Sequence, residues 1–343
     1  MDAPPVQYVR TSDGFDIAYT VFGQGLPLVC VPFPFSHLQM YWTAPGDVRN
    51  WLECMAERFR LVYYDSRGQG MSTRGLGPEV TVDSFVTDLD VVINKLNLER
   101  VVLFGFGFAM GHAAIHFAAR HPERIEALVL MTCAMNGESW PVAIFEDLAK
   151  ENWDSFLWTI APKGGSLEDI ELSVRRLGAS ITQSDWLTTY HSFLAADVEP
   201  LLQRLTMPTL VLHPRDYRTL HSEESAKLAA RIPEARFMLV EGTTRLGDPK
   251  QCAKTIEDFL RALPAFHIAG PGPLNAEALP DGLSQREVQV LRMIAAGRSN
   301  REIAEELVLS VRTVERHIAN LYAKAGLHTK AQAASYAHQN NLI

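Results

Sequence analysis

Residues 101–114, VVLFGFGFAMGHAA, predict an apolar strand, a glycine-rich turn and the beginning of a helix. Strand-to-helix turns of this kind can present a nucleophilic side chain to a substrate. The centre of this turn is Gly107, with Phe106 and Phe108 on either side. Because glycine has no side chain, covalent catalysis from this turn is excluded.

The same glycines also suggest nucleotide binding. Gly105, Gly107 and Gly111 loosely match the pattern G-x-G-x-x-G, in which glycines let the backbone approach a pyrophosphate. However, the third glycine comes one residue late, and the strand before the turn is not the first of the sheet. No acidic residue closes a following strand near the expected distance. Nucleotide binding is therefore the weaker interpretation of this turn.

Near the C-terminus, polar side chains line one face of a helix predicted over residues 311–325. A buried stripe at spacings of three and four is predicted for Val311, Val314, Ile318 and Leu321. The opposite face, called the reading face below, carries Arg312, Glu315, Arg316, Ala319 and Asn320. A short helix at 299–307 precedes it, an order typical of a helix-turn-helix that binds the DNA major groove. A generic four-helix bundle is the alternative.

Capping signals define four short helices in this tail. Ser284 with Glu287, and Ser299 with Glu302, predict capping boxes at the first two helices. Ser310 can cap the third helix, and residues 329–341 predict the fourth. The tail is therefore expected to be a small all-α domain.

Strands and helices alternate through the first part of the chain. Buried strands are predicted at 26–33, 60–66, 101–106, within 115–132, at 209–214 and at 236–240, with a helix at 84–98. Apolar strands separated by helices favour an α/β fold with a mostly parallel sheet covered on both faces. Ligands of such sheets bind at the carboxyl ends of the strands.

Composition is typical of a globular protein. The chain has 343 residues, 47% of them hydrophobic, which favours two domains with substantial cores. No apolar run reaches the roughly 18 to 20 residues of a membrane span, and no signal peptide is visible, so we expect a cytoplasmic protein without membrane contact. The four scattered cysteines predict buried thiols; neither a metal site nor a cofactor is expected.

The net charge of −8 is divided unevenly along the chain. From Leu279 onward eight Lys/Arg stand against six Asp/Glu, a net +2, so the preceding part carries −10. Clustered prolines and glycines mark a linker at 264–280, between domains at 1–263 and 281–343. A mildly basic tail behind an acidic body suits a nucleic-acid module.

The first domain resembles the α/β-hydrolase fold. The resemblance lies in TSDGFDIAYTVFGQG, YYDSRGQGMS, the turn at 105–109 followed by HPERIEALVL, PTLVLHPRD and a closing VEG segment. In that family a serine in the pattern G-x-S-x-G attacks an acyl carbon, a histidine takes its proton and an acid orients the histidine.

This chain departs from the family pattern at every catalytic position. Gly107 stands in place of the nucleophile, and Ala109 stands in place of the last glycine. Tyr217 takes the place of the acid, with Asp216 one residue early. Thr244 or Arg245 takes the place of the histidine. At the expected oxyanion-hole donor stands Pro34, which has no N–H to donate. We therefore expect no catalytic residue and no enzyme activity. An active hydrolase would need another nucleophile, with Ser36 and Ser72 the nearest serines.

The tail resembles the LuxR/GerE-type DNA-binding domain over residues 283–326, LSQREVQVLRMIAAGRSNREIAEELVLSVRTVERHIANLYAKAG. The resemblance implies double-stranded DNA as a partner and a homodimer on half-sites roughly 34 Å apart. It assigns base contacts to Glu315, Arg316 and Ala319, where Arg316 pairs with guanine and Glu315 accepts from cytosine. Phosphate contacts fall to Ser299, Asn300, Arg312, Thr313 and Lys324, and Asn320 lies on the same face. His317 contacts either the DNA backbone or the core.

A small-molecule site is expected above the glycine turn. The segment at about 134–200 is rich in aromatic residues and resembles the helical cap that roofs many pockets of this fold. Aromatic rings at helical spacing more often form a core, but a roofed apolar cavity with a few polar groups is the usual form of a ligand site. The expected lining is Phe33, Phe35, Gly107, Phe108, Trp140, Tyr217 and Arg245.

The leading hypothesis is a transcriptional regulator whose degenerate hydrolase-like domain binds a small apolar or aromatic effector and controls the DNA-binding tail. One alternative is an active, esterase-like hydrolase that carries a regulatory DNA-binding module. Another is a body that serves only as a dimerisation scaffold.

Overall fold

The computed structural model describes residues 2–33, 35–43, 46–135, 142–161, 166–263, 281, 283, 285–307 and 311–340. The chain forms two compact units, Met1–Gly272 and Pro273–Ile343. The linker predicted at 264–280 lies outside the described residues. None of the helices in the described ranges is long and apolar enough to cross a membrane.

The first unit is built on an eight-stranded sheet. Its strands are β1 (Gln7–Arg10), β2 (Asp16–Phe22), β3 (Leu26–Cys30), β4 (Phe59–Tyr64), β5 (Val101–Phe106), β6 (Ile125–Met131), β7 (Thr209–Pro214) and β8 (Arg236–Val240). Their order is β1-β2-β4-β3-β5-β6-β7-β8. The pairs β1–β2 and β2–β4 are antiparallel and all other pairs are parallel, which confirms the predicted sheet. Neither β1 nor β2 was among the predicted strands; β1 is short and mostly exposed, so it lacks the apolar run that identified β3 to β8.

Parallel pairing brings the ends of the later strands to one side of the sheet. In the register of the central strands, Phe106 lies beside Met131, and Met131 lies beside Leu212. The residues that follow β3, β5, β6, β7 and β8 therefore meet along one edge, which we call the carboxyl edge. It is the edge at which sheets of this type bind ligands.

Helices cover both faces of the sheet. In this unit they are α1 (Asp47–Ala56), α2 (Val82–Lys95), α3 (Gly107–Arg120), α4 (Val142–Glu151), α5 (Trp153–Ile160), α6 (Leu167–Ser180), α7 (Gln183–Leu194), α8 (Glu199–Leu202), α9 (Ser222–Arg231) and α10 (Pro249–Arg261). Helices α1 and α10 bury their apolar sides on one face, and α2, α3, α8 and α9 bury theirs on the other. Because both faces are covered, β5 and β7 are buried along their whole length.

Helices α4 to α7 occupy the segment for which a cap was predicted. Their aromatic rings form a cluster around Phe156, which is 1% exposed. The ring centres of Trp186 and Trp153 lie 4.5 and 5.1 Å from that of Phe156. Phe35, from the loop after β3, joins the cluster at 6.2 Å. These rings form the core of the cap, as their helical spacing suggested.

A buried ion cluster fixes the turn after β4. The Arg67 side chain is 1% exposed and lies between Asp88, which has no exposed surface, and Asp13. Its Nη2 is 2.7 Å from Asp88 Oδ1, and its Nη1 is 2.6 Å from Asp13 Oδ2. The Arg67 backbone N–H also donates to Asp88, so both backbone and side chain of the turn are tied to α2.

Acid is expected to destabilise the first unit through His112. Burial lowers the pKa of this histidine from 6.5 to about 4, although its Nε2 lies 3.0 Å from the Ala134 carbonyl. Between pH 6.5 and pH 4 this histidine is protonated in the unfolded chain but mostly neutral in the folded one. The free energy of unfolding therefore decreases as the pH falls from 6.5 toward 4. At pH 5 this group alone is expected to cost roughly 2 kcal/mol relative to pH 7.

Urea unfolding followed by tryptophan fluorescence tests this expectation, because all six tryptophans lie in the first unit. The variant His112→Gln should lose this share of the pH dependence, whereas His121→Gln, on a partly exposed histidine, should keep it. Equal pH dependence in the wild type and His112→Gln would contradict the assignment.

The second unit consists of four helices: α11 (Gln285–Ala295), α12 (Asn300–Glu306), α13 (Val311–Ala325) and α14 (Lys330–Gln339). All four predicted helices are present. The Ser299–Glu302 capping box is formed, with Ser299 N 2.7 Å from Glu302 Oε2 and Glu302 N 3.3 Å from Ser299 Oγ. The caps predicted at Ser284 and Ser310 lie outside the described residues.

The apolar stripe of α13 differs from the prediction at one position. Val314 and Leu321 have no exposed surface and Ile318 packs against the same core. The placement of Val311 in this stripe was wrong, because Val311 is 41% exposed. Val311 is the first residue of the helix, three residues before Val314, the first residue of α13 that is buried in the core. His317 is 8% exposed and packs inward.

Candidate functional site

The centre of the carboxyl edge is the turn from β5 into α3. Gly107 has a φ of +65°, a conformation that side-chain-bearing residues rarely adopt. A Cβ at Gly105 would lie 2.7 Å from Ala114 Cβ, and one at Gly111 would lie 2.4 Å from Cys133 Sγ. These two glycines therefore let α3 pack closely on the sheet. A Cβ at Gly107 would meet no atom within 4 Å beyond its own turn, so space is open at the position predicted to correspond to a nucleophile.

The floor beneath this space is aromatic and tightly packed. Phe33 and Phe106 meet edge to face, with ring centres 4.8 Å apart, and Trp51 lies 5.4 Å from Phe33. Phe33 has no exposed surface, and Tyr63 Oη accepts a hydrogen bond from its backbone N–H at 3.1 Å. In this conformation Phe33 supports the floor from below and offers no surface to a ligand.

Arg245 lies on the loop after β8 and reaches over the floor. Its guanidinium carbon is 5.7 Å from the centre of the Phe106 ring, within the range of a cation–π contact. Thr132 Oγ1 donates a 2.9 Å hydrogen bond to the Arg245 carbonyl. Thr132 itself has a φ of +55°, which is unusual for a β-branched residue. A strained residue at the end of β6 thus anchors the backbone that carries Arg245.

Tyr41 is a polar group of this edge that the sequence did not single out. Its ring lies 6.2 Å from that of Tyr63, and its Oη is 3.4 Å from the Phe35 carbonyl. Burial raises the pKa of the Tyr41 phenol; the charge of Asp65 acts in the same direction and that of Arg245 in the opposite one. The phenol therefore keeps its proton at neutral pH and remains a donor. No motif marks Tyr41; only its position shortly after β3 could have suggested it.

Asp65 holds the loop that carries Phe35 in place. Its buried carboxylate accepts hydrogen bonds from Ser36 Oγ at 2.7 Å and from the Leu38 N–H at 3.1 Å. It also accepts from the Met71 N–H at 2.9 Å. Burial raises the pKa of Asp65 to about 6. Phe35 is left with a φ of +64°, a second strained residue after a strand of this edge.

The structure brings together part of the predicted ligand set. Gly107, Phe35 and Arg245 lie at the carboxyl edge, whereas the ring contact of Tyr217 is with His213, at 6.3 Å. Tyr217 is partly exposed and follows β7. The side chain of Phe108, together with Trp140 and Pro34, lies outside what the structure describes.

The spare nucleophiles are already engaged. Ser36 Oγ donates to Asp65, and Ser72 Oγ donates to the Asp65 carbonyl while accepting from the Ala18 N–H at 2.8 Å. Cys133 lies behind the turn, and burial raises the pKa of its thiol, which disfavours the reactive thiolate. Within the part of the chain that the structure describes, neither serine is hydrogen-bonded to a histidine, the partner that a catalytic serine needs.

Two further features are separate from this edge. In the described part of the chain, no group of three His, Cys, Asp or Glu side chains is arranged to hold a metal ion. An open groove of about 450 Å³ lies between the start of α2 and α7, lined by small and apolar residues such as Pro78, Thr81 and Ala195. It shares no lining residue with the carboxyl edge, and we assign it no role.

On the second unit, the predicted reading face of α13 is exposed. Arg312, Glu315, Arg316, Ala319 and Asn320 all face away from the core, whereas Thr313 is half-buried. Among the predicted phosphate contacts, Lys324 Nζ lies 2.8 Å from Glu287, whose side chain is 4% exposed. Ser299 Oγ donates to Glu302, and Asn300 Oδ1 accepts from Lys330. These three residues therefore have structural partners in addition to any DNA contact.

Comparison with known proteins agrees with both units. Residues 281–337 match the family of bacterial regulatory proteins described as luxR, and residues 41–159 match the α/β hydrolase fold. The chain joins an α/β hydrolase-fold domain to a luxR-family domain. Over 67 residues, which are 19% of this chain and 32% of the relative, it is 45% identical to the transcriptional regulatory protein LiaR of Bacillus subtilis. The chain thus spans about a third of the length of the relatives that the luxR-family domain matches.

The hydrolase-fold domain has its own relatives. It is 25% identical over 237 residues to the putative carbamate hydrolase RutD of Pseudomonas savastanoi, covering 63% of this chain and 90% of that protein. A hydrolase structure from Pseudomonas aeruginosa aligns with a TM-score of 0.63 and 22% identity, covering 76% of this chain and all of that one. At this identity the structural likeness shows the fold alone.

Proposed function

We propose that this protein is a ligand-responsive transcriptional regulator. In it, the hydrolase-fold domain binds a small apolar or aromatic molecule without hydrolysing it, and the luxR-family domain binds double-stranded DNA. The observation that carries the proposal is Gly107. This turn has a left-handed backbone and open space at the position aligned with a nucleophile, but no side chain to attack with.

The other catalytic positions support loss of hydrolysis. No histidine occurs in residues 241–248, EGTTRLGD, where the fold places its base. Asp216 is exposed on the surface after β7. Because triad members act as a unit, the absence of nucleophile and base together removes most of the rate enhancement.

The exposed face of α13 supports DNA binding. Arg316 and Glu315 are free of the core and project from a helix whose opposite side is buried, the arrangement of a recognition helix. The luxR-family match over residues 281–337 covers this helix pair, and the relative LiaR is a transcriptional regulatory protein by name. Such domains act on paired half-sites, so we propose a homodimer.

Regulation then requires two arrangements of the dimer that differ in affinity for the ligand. A ligand that prefers one arrangement shifts the population toward it, and DNA affinity changes by no more than that difference in ligand affinity. A scaffold without a ligand site would show neither a shift in melting temperature nor a change in DNA affinity on addition of small molecules.

Ester hydrolysis is the direct test of the proposal. The purified full chain is expected to hydrolyse p-nitrophenyl acetate and butyrate no faster than heat-denatured protein, and Gly107→Ser is expected to remain inactive because the base is missing. Turnover that disappears when Ser36, Ser72 or Cys133 is replaced by alanine would instead establish the alternative, an active hydrolase with a DNA-binding module.

A further inference from the structure

We infer that the space above Gly107 takes a carboxylate-bearing molecule with an apolar or aromatic body, and that Arg245 holds the carboxylate. This deepens the proposed sensor function and rests on it. The chemical class follows from the charge, contacts and surroundings of Arg245.

The Arg245 guanidinium has no acidic partner among the described residues. Every carboxylate close to it in sequence is engaged elsewhere: Glu241 pairs with Arg215, and Asp248 caps α10 through the Gln251 N–H. In the described ranges the guanidinium makes no hydrogen bond or ion pair, and it lies over the Phe106 ring. A half-buried guanidinium on an aromatic face, with its N–H donors unused, is suited to a planar carboxylate, which accepts two parallel hydrogen bonds.

The surroundings of Arg245 define the rest of the ligand. The loop residue Phe35 is half-buried and supplies apolar surface, and a Cβ placed on Gly107 would meet no atom within 4 Å beyond its own turn. Tyr41 lies near the same guanidinium, and its single O–H already donates to the Phe35 carbonyl. Among the described residues, Arg245 is the cationic side chain that lies over this floor, and a single positive charge matches a carboxylate better than a phosphate dianion.

The backbone geometry shows that this cation is held in position. The Arg245 carbonyl is bonded by Thr132 Oγ1, so the loop is anchored by its backbone and a side-chain substitution leaves that anchor intact. Arg245→Gln therefore removes the charge without removing the contact that fixes the loop. Arg245→Lys keeps the charge and removes the bidentate geometry.

The test is calorimetric titration of the full chain with pairs of carboxylates and their primary amides: 2-naphthylacetate and 2-naphthylacetamide, 4-phenylbutyrate and 4-phenylbutyramide, decanoate and decanamide. We expect at least one carboxylate to bind about tenfold or more tightly than its amide, as a charge-assisted hydrogen-bond pair implies. Arg245→Gln should abolish this preference, and Arg245→Lys should reduce it.

The matched control is Arg215→Gln, which makes the same change in charge at a neighbouring loop where the guanidinium already pairs with Glu241. It should leave the preference unchanged. The inference is overturned if no carboxylate of the panel binds, if amides bind equally well, or if Arg245→Gln retains the preference. A carboxylate that binds through Arg245 but leaves DNA affinity unchanged would support this inference and refute the sensor function.

Discussion

Arg67→Met is expected to destabilise the hydrolase-fold domain by about 3 to 5 kcal/mol, because it leaves the buried Asp88 without its counter-charge. Asp88 has no exposed surface, and burial raises its pKa to about 6 even beside Arg67. Without the guanidinium the carboxyl group can remain buried only by taking up a proton. The loss should therefore be larger at pH 8 than at pH 5, since protonation becomes more costly as the pH rises.

Urea unfolding followed by tryptophan fluorescence measures this loss. The control Arg58→Met removes a partly exposed arginine paired with Glu257 and should cost less than about 1 kcal/mol. Adding Asp88→Asn to Arg67→Met should restore part of the stability and remove the extra dependence on pH. A loss no larger than that of the control would refute the role assigned to the buried cluster.

Arg316→Ala is expected to weaken specific DNA binding by about 1 to 3 kcal/mol and to relax preference at one base pair. The reason is that Arg316 is exposed on the reading face and can pair with a guanine edge. The preferred DNA site is first selected from a random pool with the wild-type protein. Fluorescence anisotropy then measures the affinity of wild type and variant for that site and for its single-base variants, which gives both effects. The selected site should contain two half-sites about one helical turn apart.

Arg312→Ala is the matched comparison, because it removes the same charge from the same exposed helix face. As a phosphate contact it should weaken binding to all sequences alike and lower the salt dependence by about one unit. If Arg316→Ala leaves the sequence preference intact, or if both variants behave identically, the orientation assigned to α13 is incorrect.

Secondary structure and the two fold classes were predictable because their signals are local. The apolar runs of β3 to β8 and the capping box at Ser299 are properties of neighbouring residues, and the structure reproduces them. The prediction that Val311 is buried was wrong, because periodicity indicates a face of a helix but not where the core ends along the helix axis. Phe33 was expected to line the ligand site because it is aromatic and follows a strand. Only its packing in the tertiary structure shows that it has no accessible surface.

The sequence by itself determined that no nucleophile stands at position 107, since the absence of a side chain is a property of the residue. It also determined the helices and the polar face of α13, because helix periodicity is local. Only the tertiary structure decided that Arg245 lies over Phe106 without a carboxylate partner in the described ranges, that Thr132 anchors it, and that Tyr41 joins them. These residues are far apart in the chain, and strand order and packing, which no local pattern encodes, bring them to one edge.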